Sequence, residues 1–159
     1  MFNFLKKNKN ISLSSPMKGT VLEITAVPDQ VFSEKMLGDG LAIEPLDGLV
    51  VSPIKGTVVQ IFPTNHAIGI ESEEGLEVLI HLGIDTVELK GEGFTRLTTE
   101  GASVEVGTPL LSIDLNFVHD KGKLLTTPIV ITNSDKFEII SKNLGAITSG
   151  SPLMELKKK

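Results

Sequence analysis

The chain has 159 residues, of which 40% are hydrophobic and 22% charged, a composition typical of one soluble domain with a buried core. Its formal net charge of -5 argues against a nucleic-acid ligand, because nucleic-acid-binding domains present basic faces, and it favours a basic protein partner. Cysteine is absent, which excludes disulfides, thiolate zinc sites and cysteine nucleophiles and is typical of cytoplasmic proteins.

Residues 1–10 are predicted to form a flexible N-terminal tail, and residues 11–159 a single domain. The tail lacks the apolar core of a signal peptide. A short membrane anchor through Phe2, Phe4 and Leu5 is an alternative interpretation of the tail, although a solvated end is the simpler one. No apolar run approaches the roughly 20 residues needed to cross a bilayer.

From residue 11 onwards the pattern is that of β-structure. Short runs of Val, Ile, Leu and Thr are separated by turns rich in Gly and Pro, which predicts an all-β sandwich or barrel. The segment SPMKGTV at 15–21 returns as SPIKGTV at 52–58, and a second pair of similar segments lies at 101–111 and 145–154. These repeats predict a fold with pseudo-symmetric halves.

Little helix is expected, because no segment keeps a 3.6-residue apolar period. One or two helical turns are predicted at 116–123, 134–138 and 85–89. The segment 27–40 carries several apolar residues and is predicted to be a loop that leads into a strand at 41–43. Its apolar side chains either fill a core or form a contact surface.

Two of the three histidines, His66 and His81, flank a predicted β-hairpin with strands at 67–71 and 77–80 and a turn at 73–75. A hairpin can bring side chains from opposite ends of its strands onto one face, so the two imidazoles can meet. Such a pair can bind a metal, move protons or carry a phosphoryl group. Two isolated, hydrogen-bonded histidines remain the structural alternative.

The residues near the two histidines favour a functional site over two isolated histidines. Thr64 lies two residues before His66, where its hydroxyl can fix the tautomer of that ring. Gly83 and Asp85 follow His81 closely, and backbone N–H groups near such a glycine can hold an anion. A HExxH zinc motif, a GxSxG nucleophile elbow and a P-loop are all missing, which leaves a histidine that takes phosphate from another protein.

Three motifs resemble the glucose-type enzyme IIA domains of the bacterial sugar phosphotransferase system: VPDQVFSEKMLGDGLAI, PIKGTV with the following TNHAIGIES, and HLGIDTVELKGEGF. The resemblance extends from about residue 15 to residue 156. It implies an antiparallel β-sandwich, described in this family as a duplicated hybrid motif, which agrees with the repeats.

The resemblance also implies roles for individual residues. His81 matches the phosphorylated histidine, His66 the second active-site histidine and Thr64 the residue that orients it. Asp29 and Asp85 match acidic residues that flank the site. Apolar partner contacts are expected at Val31, Phe32, Met36, Phe62, Ile68 and Val87. Family members often have Phe at the positions of Ile68, Leu79 and Leu82, which are aliphatic here.

The implied partners are the phosphocarrier HPr as donor and the enzyme IIB/IIC sugar permease as acceptor, with regulatory proteins as further targets. The membrane is reached only through the permease. No cofactor is expected besides the covalent phosphohistidine intermediate. His66 and His81 form no intrinsic metal site, although zinc could bind them where a partner adds a carboxylate.

Two other classes of protein are alternatives. A biotinyl- or lipoyl-type carrier domain would modify a lysine such as Lys18 or Lys55, but the EMKM motif is missing. A zinc peptidase of the LytM type needs an HxH pair, and Leu79 occupies the first of those positions.

Overall fold

Antiparallel β-strands are the main regular structure of the computed structural model, which describes residues 9–159. The predicted tail at 1–10 therefore lies almost entirely outside the described residues. The strands are β1 (Ile11–Ser14), β2 (Gly19–Glu23), β3 (Asp39–Pro45), β4 (Leu49–Val51), β5 (Gly56–Ile61), β6 (Ala67–Ser72), β7 (Glu77–His81), β8 (Phe94–Arg96), β9 (Ser103–Val104), β10 (Pro109–Ile113), β11 (Thr127–Ile131), β12 (Phe137–Lys142), β13 (Gly145–Ile147) and β14 (Pro152–Lys158).

The strands form three sheets. The largest has eight strands in the order β13-β2-β3-β11-β7-β6-β5-β9, and two three-stranded sheets have the orders β1-β14-β12 and β4-β10-β8. All recorded pairings are antiparallel. The predicted all-β sandwich is confirmed.

Helical structure is limited to short pieces. The α-helices are α1 (Gln30–Ser33) and α2 (Leu115–Asp120), and 3-10 turns lie at Ile24–Ala26, Thr86–Leu89 and Ser134–Lys136. The helical turns predicted at 85–89, 116–123 and 134–138 are thus confirmed, although the last two end earlier than predicted, at Asp120 and Lys136. The prediction of a loop throughout 27–40 is wrong, because α1 lies within it. Asp29 caps α1 there, since its Oδ1 accepts a hydrogen bond of 2.9 Å from the N–H of Val31.

The repeats at 15–21 and 52–58 build equivalent turns. Ser15 Oγ donates to the carbonyl of Met17 at 2.7 Å, and Ser52 Oγ donates to that of Ile54 at 2.7 Å. The two turns also contact each other reciprocally: Ser14 N–H donates to Pro53 O at 2.9 Å, and Val51 N–H donates to Pro16 O at 2.8 Å. Because these bonds are related by the same shift in sequence as the repeats, they confirm the pseudo-symmetric halves.

The hairpin of β6 and β7 has one face toward the main core and the other toward a second, smaller cluster. Ile68 lies opposite Ile80, and Ile70 lies opposite Val78, and all of these side chains are buried. Alternate positions point to the other face of the sheet, as the pleat requires. On that second face lies a smaller buried cluster that contains Phe32 of α1 and Ile84, and Leu79 of β7 packs against it. No helix within residues 9–159 is long and apolar enough to span a membrane.

Candidate functional site

The hairpin register places the two histidines side by side. Ala67 pairs with His81 at the end of the ladder, and the N–H of Leu82 donates to the carbonyl of His66 at 2.7 Å. His66, the residue before β6, therefore lies next to the end of β7. The ring centroids of His66 and His81 are 5.0 Å apart, and the rings are nearly perpendicular at 83°. The structure thus brings together the two imidazoles that the sequence singled out.

His66 lies almost entirely inside the protein, with only 4% of its surface exposed. Its Nδ1 is 2.5 Å from Thr64 Oγ1, the contact expected from the sequence, and Phe62 packs edge-on against its ring with centroids 5.4 Å apart. Burial, and to a smaller extent the neighbouring His81, lowers the pKa of His66 to about 4. The ring is therefore neutral at physiological pH.

His81 is half-buried and has a defined tautomer. Its Nδ1 is 2.8 Å from the carbonyl oxygen of Gly83. Since a carbonyl can only accept, Nδ1 must carry the proton, and in the neutral ring Nε2 keeps its lone pair. Burial lowers the pKa of His81, although the hydrogen bond to Gly83 and the carboxylates of Asp29 and Asp85 oppose this shift. A neutral ring is a ready nucleophile because no proton has to leave Nε2.

The turn after His81 holds the Gly83 carbonyl in place. Gly83 has a φ of +80°, and a side chain there would meet Thr86 Cγ2 at 2.6 Å and the carbonyl oxygen of Leu124 at 2.8 Å. Thr86 Oγ1 donates to Leu82 O at 2.6 Å, and Ile84 N–H donates to Leu124 O at 3.0 Å. Only glycine fits a backbone that is both left-handed and this closely packed.

A shallow cavity of about 370 Å³ opens beside the His81 ring. It is lined by Asp29, Val31, Phe32, Leu37, Phe62, Leu79, His81, Asp85 and Val87. Phe32 contacts His81 directly, with ring centroids 5.0 Å apart and a tilt of 58°. The structure therefore places six of the predicted flanking residues around His81, in an apolar surface with two carboxylates.

Two predicted surface residues lie elsewhere. Ile68 has no exposed surface, because its position in β6 faces the core, so its prediction as a partner contact is wrong. Met36 is 68% exposed but does not line the cavity. Leu37 and Leu79 also line the cavity, although neither is among the predicted partner contacts. Leu79 could have been found from the strand period of two, since it shares a face with His81.

Within residues 9–159, no group of three or more His, Asp and Glu side chains is arranged to hold a metal ion. The two imidazoles offer two nitrogen ligands, whereas protein zinc sites use at least three protein ligands.

The fold and the site together define an all-β protein in which an imidazole with a free Nε2 lone pair contacts a second imidazole beside an apolar surface. The family model described as phosphoenolpyruvate-dependent sugar phosphotransferase system, EIIA 1, matches residues 11–137. The chain belongs to this EIIA family, as the sequence motifs predicted.

Individual relatives of the chain carry names from the same family. The chain is 46% identical over 156 residues to the glucose-specific EIIA component of Haemophilus influenzae, covering 96% of this chain and 94% of that protein. It is 47% identical over 148 residues to the N-acetylglucosamine-specific EIICBA component of Escherichia coli, covering 92% of this chain and 23% of that protein. Among solved structures, glucose permease IIA from Mycoplasma capricolum matches with a TM-score of 0.89 and 37% identity, covering 93% of this chain and 96% of that one.

Membership of this family makes the chain a phosphotransferase component, a carrier of phosphoryl groups in sugar uptake. The carrier-domain and zinc-peptidase alternatives find no support in these comparisons.

Proposed function

We propose that this protein accepts a phosphoryl group from phospho-HPr on Nε2 of His81 and passes it to the cysteine of an enzyme IIB domain in a glucose-type sugar permease. The glucose-specific relatives support the permease type, and the EIICBA relative supports the partnership with IIB and IIC domains. Residues 11–159 act as one EIIA domain, and the protein works in the cytoplasm, where it meets both partners.

The observation that carries the proposal is the hydrogen bonding of the two rings. His81 donates from Nδ1 to Gly83, which leaves the lone pair of Nε2 available for attack on phosphorus. Thr64 contacts Nδ1 of His66, and when its hydroxyl donates there, Nε2 of His66 carries a proton that can be donated to a phosphoryl oxygen. One imidazole is thus prepared as nucleophile and the other as electrostatic stabiliser.

In the first transfer, a bond forms between His81 Nε2 and phosphorus while the bond from phosphorus to the donor's ring nitrogen breaks in line. The phosphorylated ring keeps its Nδ1 proton, and the Gly83 carbonyl stabilises the positive charge that develops on it. His66 donates to the phosphoryl oxygens. In the second transfer, the cysteine sulfur attacks phosphorus and the electron pair returns to Nε2. Such reactions depend mainly on positioning and charge stabilisation.

The apolar surface serves to exclude water when a partner docks. Val31 and Val87 are 40% and 53% exposed, so they can contact a partner, while Phe32 and Phe62 pack against the imidazoles. Removing water protects the phosphohistidine from hydrolysis and strengthens the local electrostatic interactions.

Acidic side chains at the rim favour a basic partner. Asp29 and Asp85 line the cavity, and Glu88 follows in the next turn. We expect added salt to slow phosphoryl uptake from HPr, because screening reduces attraction between exposed charges over about 10 Å at 0.1 M salt. An association rate that does not depend on salt contradicts this steering.

The central test is transfer of labelled phosphate from phospho-HPr, followed by transfer to a IIB domain. His81→Gln should acquire no label. His66→Gln should acquire label but pass it on roughly 10²–10³ times more slowly, as is typical when one stabilising donor is lost. His119→Gln is the matched control, since this third histidine is exposed and its ring lies 3.5 Å from the exposed carboxylate of Asp120.

Label on His81→Gln disproves the assignment of the nucleophile. Normal onward transfer by His66→Gln removes that ring from the mechanism.

A further inference from the structure

The turn that presents His66 contains an unusual backbone. Asn65 lies between Thr64 and His66, and it has a φ of +58°, in the left-handed region that residues other than glycine rarely adopt. Its N–H donates to the carbonyl of Phe62 at 2.7 Å, which closes the turn. Asparagine tolerates this conformation better than most residues, but the geometry still has to be held by its surroundings.

The side chain of Asn65 is held from another part of the chain. Arg96 lies at the end of β8 and donates from Nε to Asn65 Oδ1 at 3.0 Å. Arg96 is the only arginine in the sequence, where the other basic side chains, apart from the histidines, are lysines. Its Nε is fixed in the plane of the guanidinium, so the bond constrains the direction of the amide more than the mobile ammonium of a lysine would.

We propose that Arg96 is a positioning residue for phosphoryl transfer, acting through Asn65 to fix the turn that aims His66 at the phosphoryl group. This inference rests on the proposed role of His66. Both of the two residues before His66 would then orient it: Thr64 sets the protonation of the ring, and Asn65 sets the path of the backbone.

The bond is exposed, so its loss should not unfold the protein. A hydrogen bond of this kind contributes modestly, and its loss should slow transfer to the IIB domain roughly three- to tenfold. Acceptance of phosphate from HPr should change less, because His81 attacks without relying on Asn65.

The variants Arg96→Gln and Asn65→Gly remove the bond from opposite ends. Glycine accepts the positive φ, so Asn65→Gly removes the acceptor without adding backbone strain. We expect both variants to accept label at nearly the normal rate and to pass it on slowly. The double variant should be no slower than the slower single variant, since both changes remove one interaction. Asn65→Asp keeps an oxygen acceptor and should restore most of the transfer rate.

Two further measurements separate positioning from other effects. Ring ¹⁵N shifts should show a changed hydrogen bond or tautomer balance at His66 in both single variants, which a remote loss of charge does not cause. Lys55→Gln removes an exposed cation that pairs with Glu73 at 3.4 Å, and it should leave transfer unchanged.

Slow transfer by Arg96→Gln with normal transfer by Asn65→Gly overturns the proposal and indicates that Arg96 contacts the partner or the phosphoryl group itself. If His66→Gln is slow while both new variants transfer normally, the positioning role fails and the function of His66 stands. If His66→Gln transfers normally, the proposed function of His66 fails first.

Discussion

Replacing His66 with glutamine should make the stability of the protein less sensitive to acid. The pKa of His66 is about 4 in the folded protein, whereas an unfolded histidine has a pKa of 6.5. Between about pH 7 and pH 5 the unfolded chain therefore binds a proton here that the folded protein does not bind. Protonation of the unfolded state favours unfolding, so the contribution of His66 to stability falls as the pH drops below about 6.5.

The size of this effect follows from the two pKa values. Each pKa unit corresponds to about 1.4 kcal/mol. At pH 5 the solution is 1.5 units below the unfolded pKa of 6.5 but still above the folded pKa of about 4, so most of this 1.5-unit difference counts toward unfolding. The wild-type protein should therefore lose about 2 kcal/mol of unfolding free energy through His66 between pH 7 and pH 5. Urea unfolding of wild type and His66→Gln at both pH values measures the difference, with the linear dependence on urea giving each free energy.

The comparison isolates His66 because the carboxylates and His81 are present in both proteins. His81, whose pKa is also lowered, acts in the same direction in each of them. An NMR titration gives an independent reading, since the His66 ring should remain neutral at pH 5.5. Equal losses of stability in the two proteins, or protonation of His66 near pH 6.5, refute the reasoning that burial keeps this ring neutral.

Further predictions concern the parts that hold each ring. Gly83→Ala should destabilise the protein by more than about 1 kcal/mol in thermal or urea unfolding, because its positive φ and close backbone contacts leave no room for a methyl group. Thr64→Val removes the hydroxyl at Nδ1 of His66 and should slow onward transfer while leaving acceptance of label intact. Phe32→Ala should shorten the lifetime of phosphorylated His81, measured as loss of acid-labile phosphate, because the ring that covers it is removed. It should also cost about 3–5 kcal/mol of stability, as is typical of a buried phenylalanine. An unchanged lifetime contradicts a role for Phe32 in excluding water.

Lowering the pH should slow the acceptance of phosphate less than it would if His81 had the ordinary histidine pKa of 6.5. The pKa of His81 lies below 6.5, and only the protonated ring lacks the Nε2 lone pair. The rate of labelling should therefore stay constant as the pH falls from 8 to about 6.5 and decline only at lower pH. A decline with a midpoint above 6.5 contradicts the lowered pKa, provided that the donor is tested over the same range.

The sequence by itself determined the fold class, the repeats and the pair of histidines, since these depend on local patterns. Strand and turn propensities predicted the hairpin of β6 and β7, and the repeated SPxKGTV segments predicted equivalent turns. The motif around His81 was specific enough to identify the family, which the comparisons then showed. Each of these features is read from short segments of the chain, without knowing which segments pack together.

Only the tertiary structure decided what surrounds the two rings. The strand period puts Leu79 on the face of His81, but it did not show that Ile68 is covered by the core, because that depends on what packs against the other side of the sheet. Nor could it pair Arg96 with Asn65, which the fold brings together across 31 positions. Burial also sets the low pKa of His66, and burial is a property of the assembled chain, since desolvation comes from atoms distant in sequence.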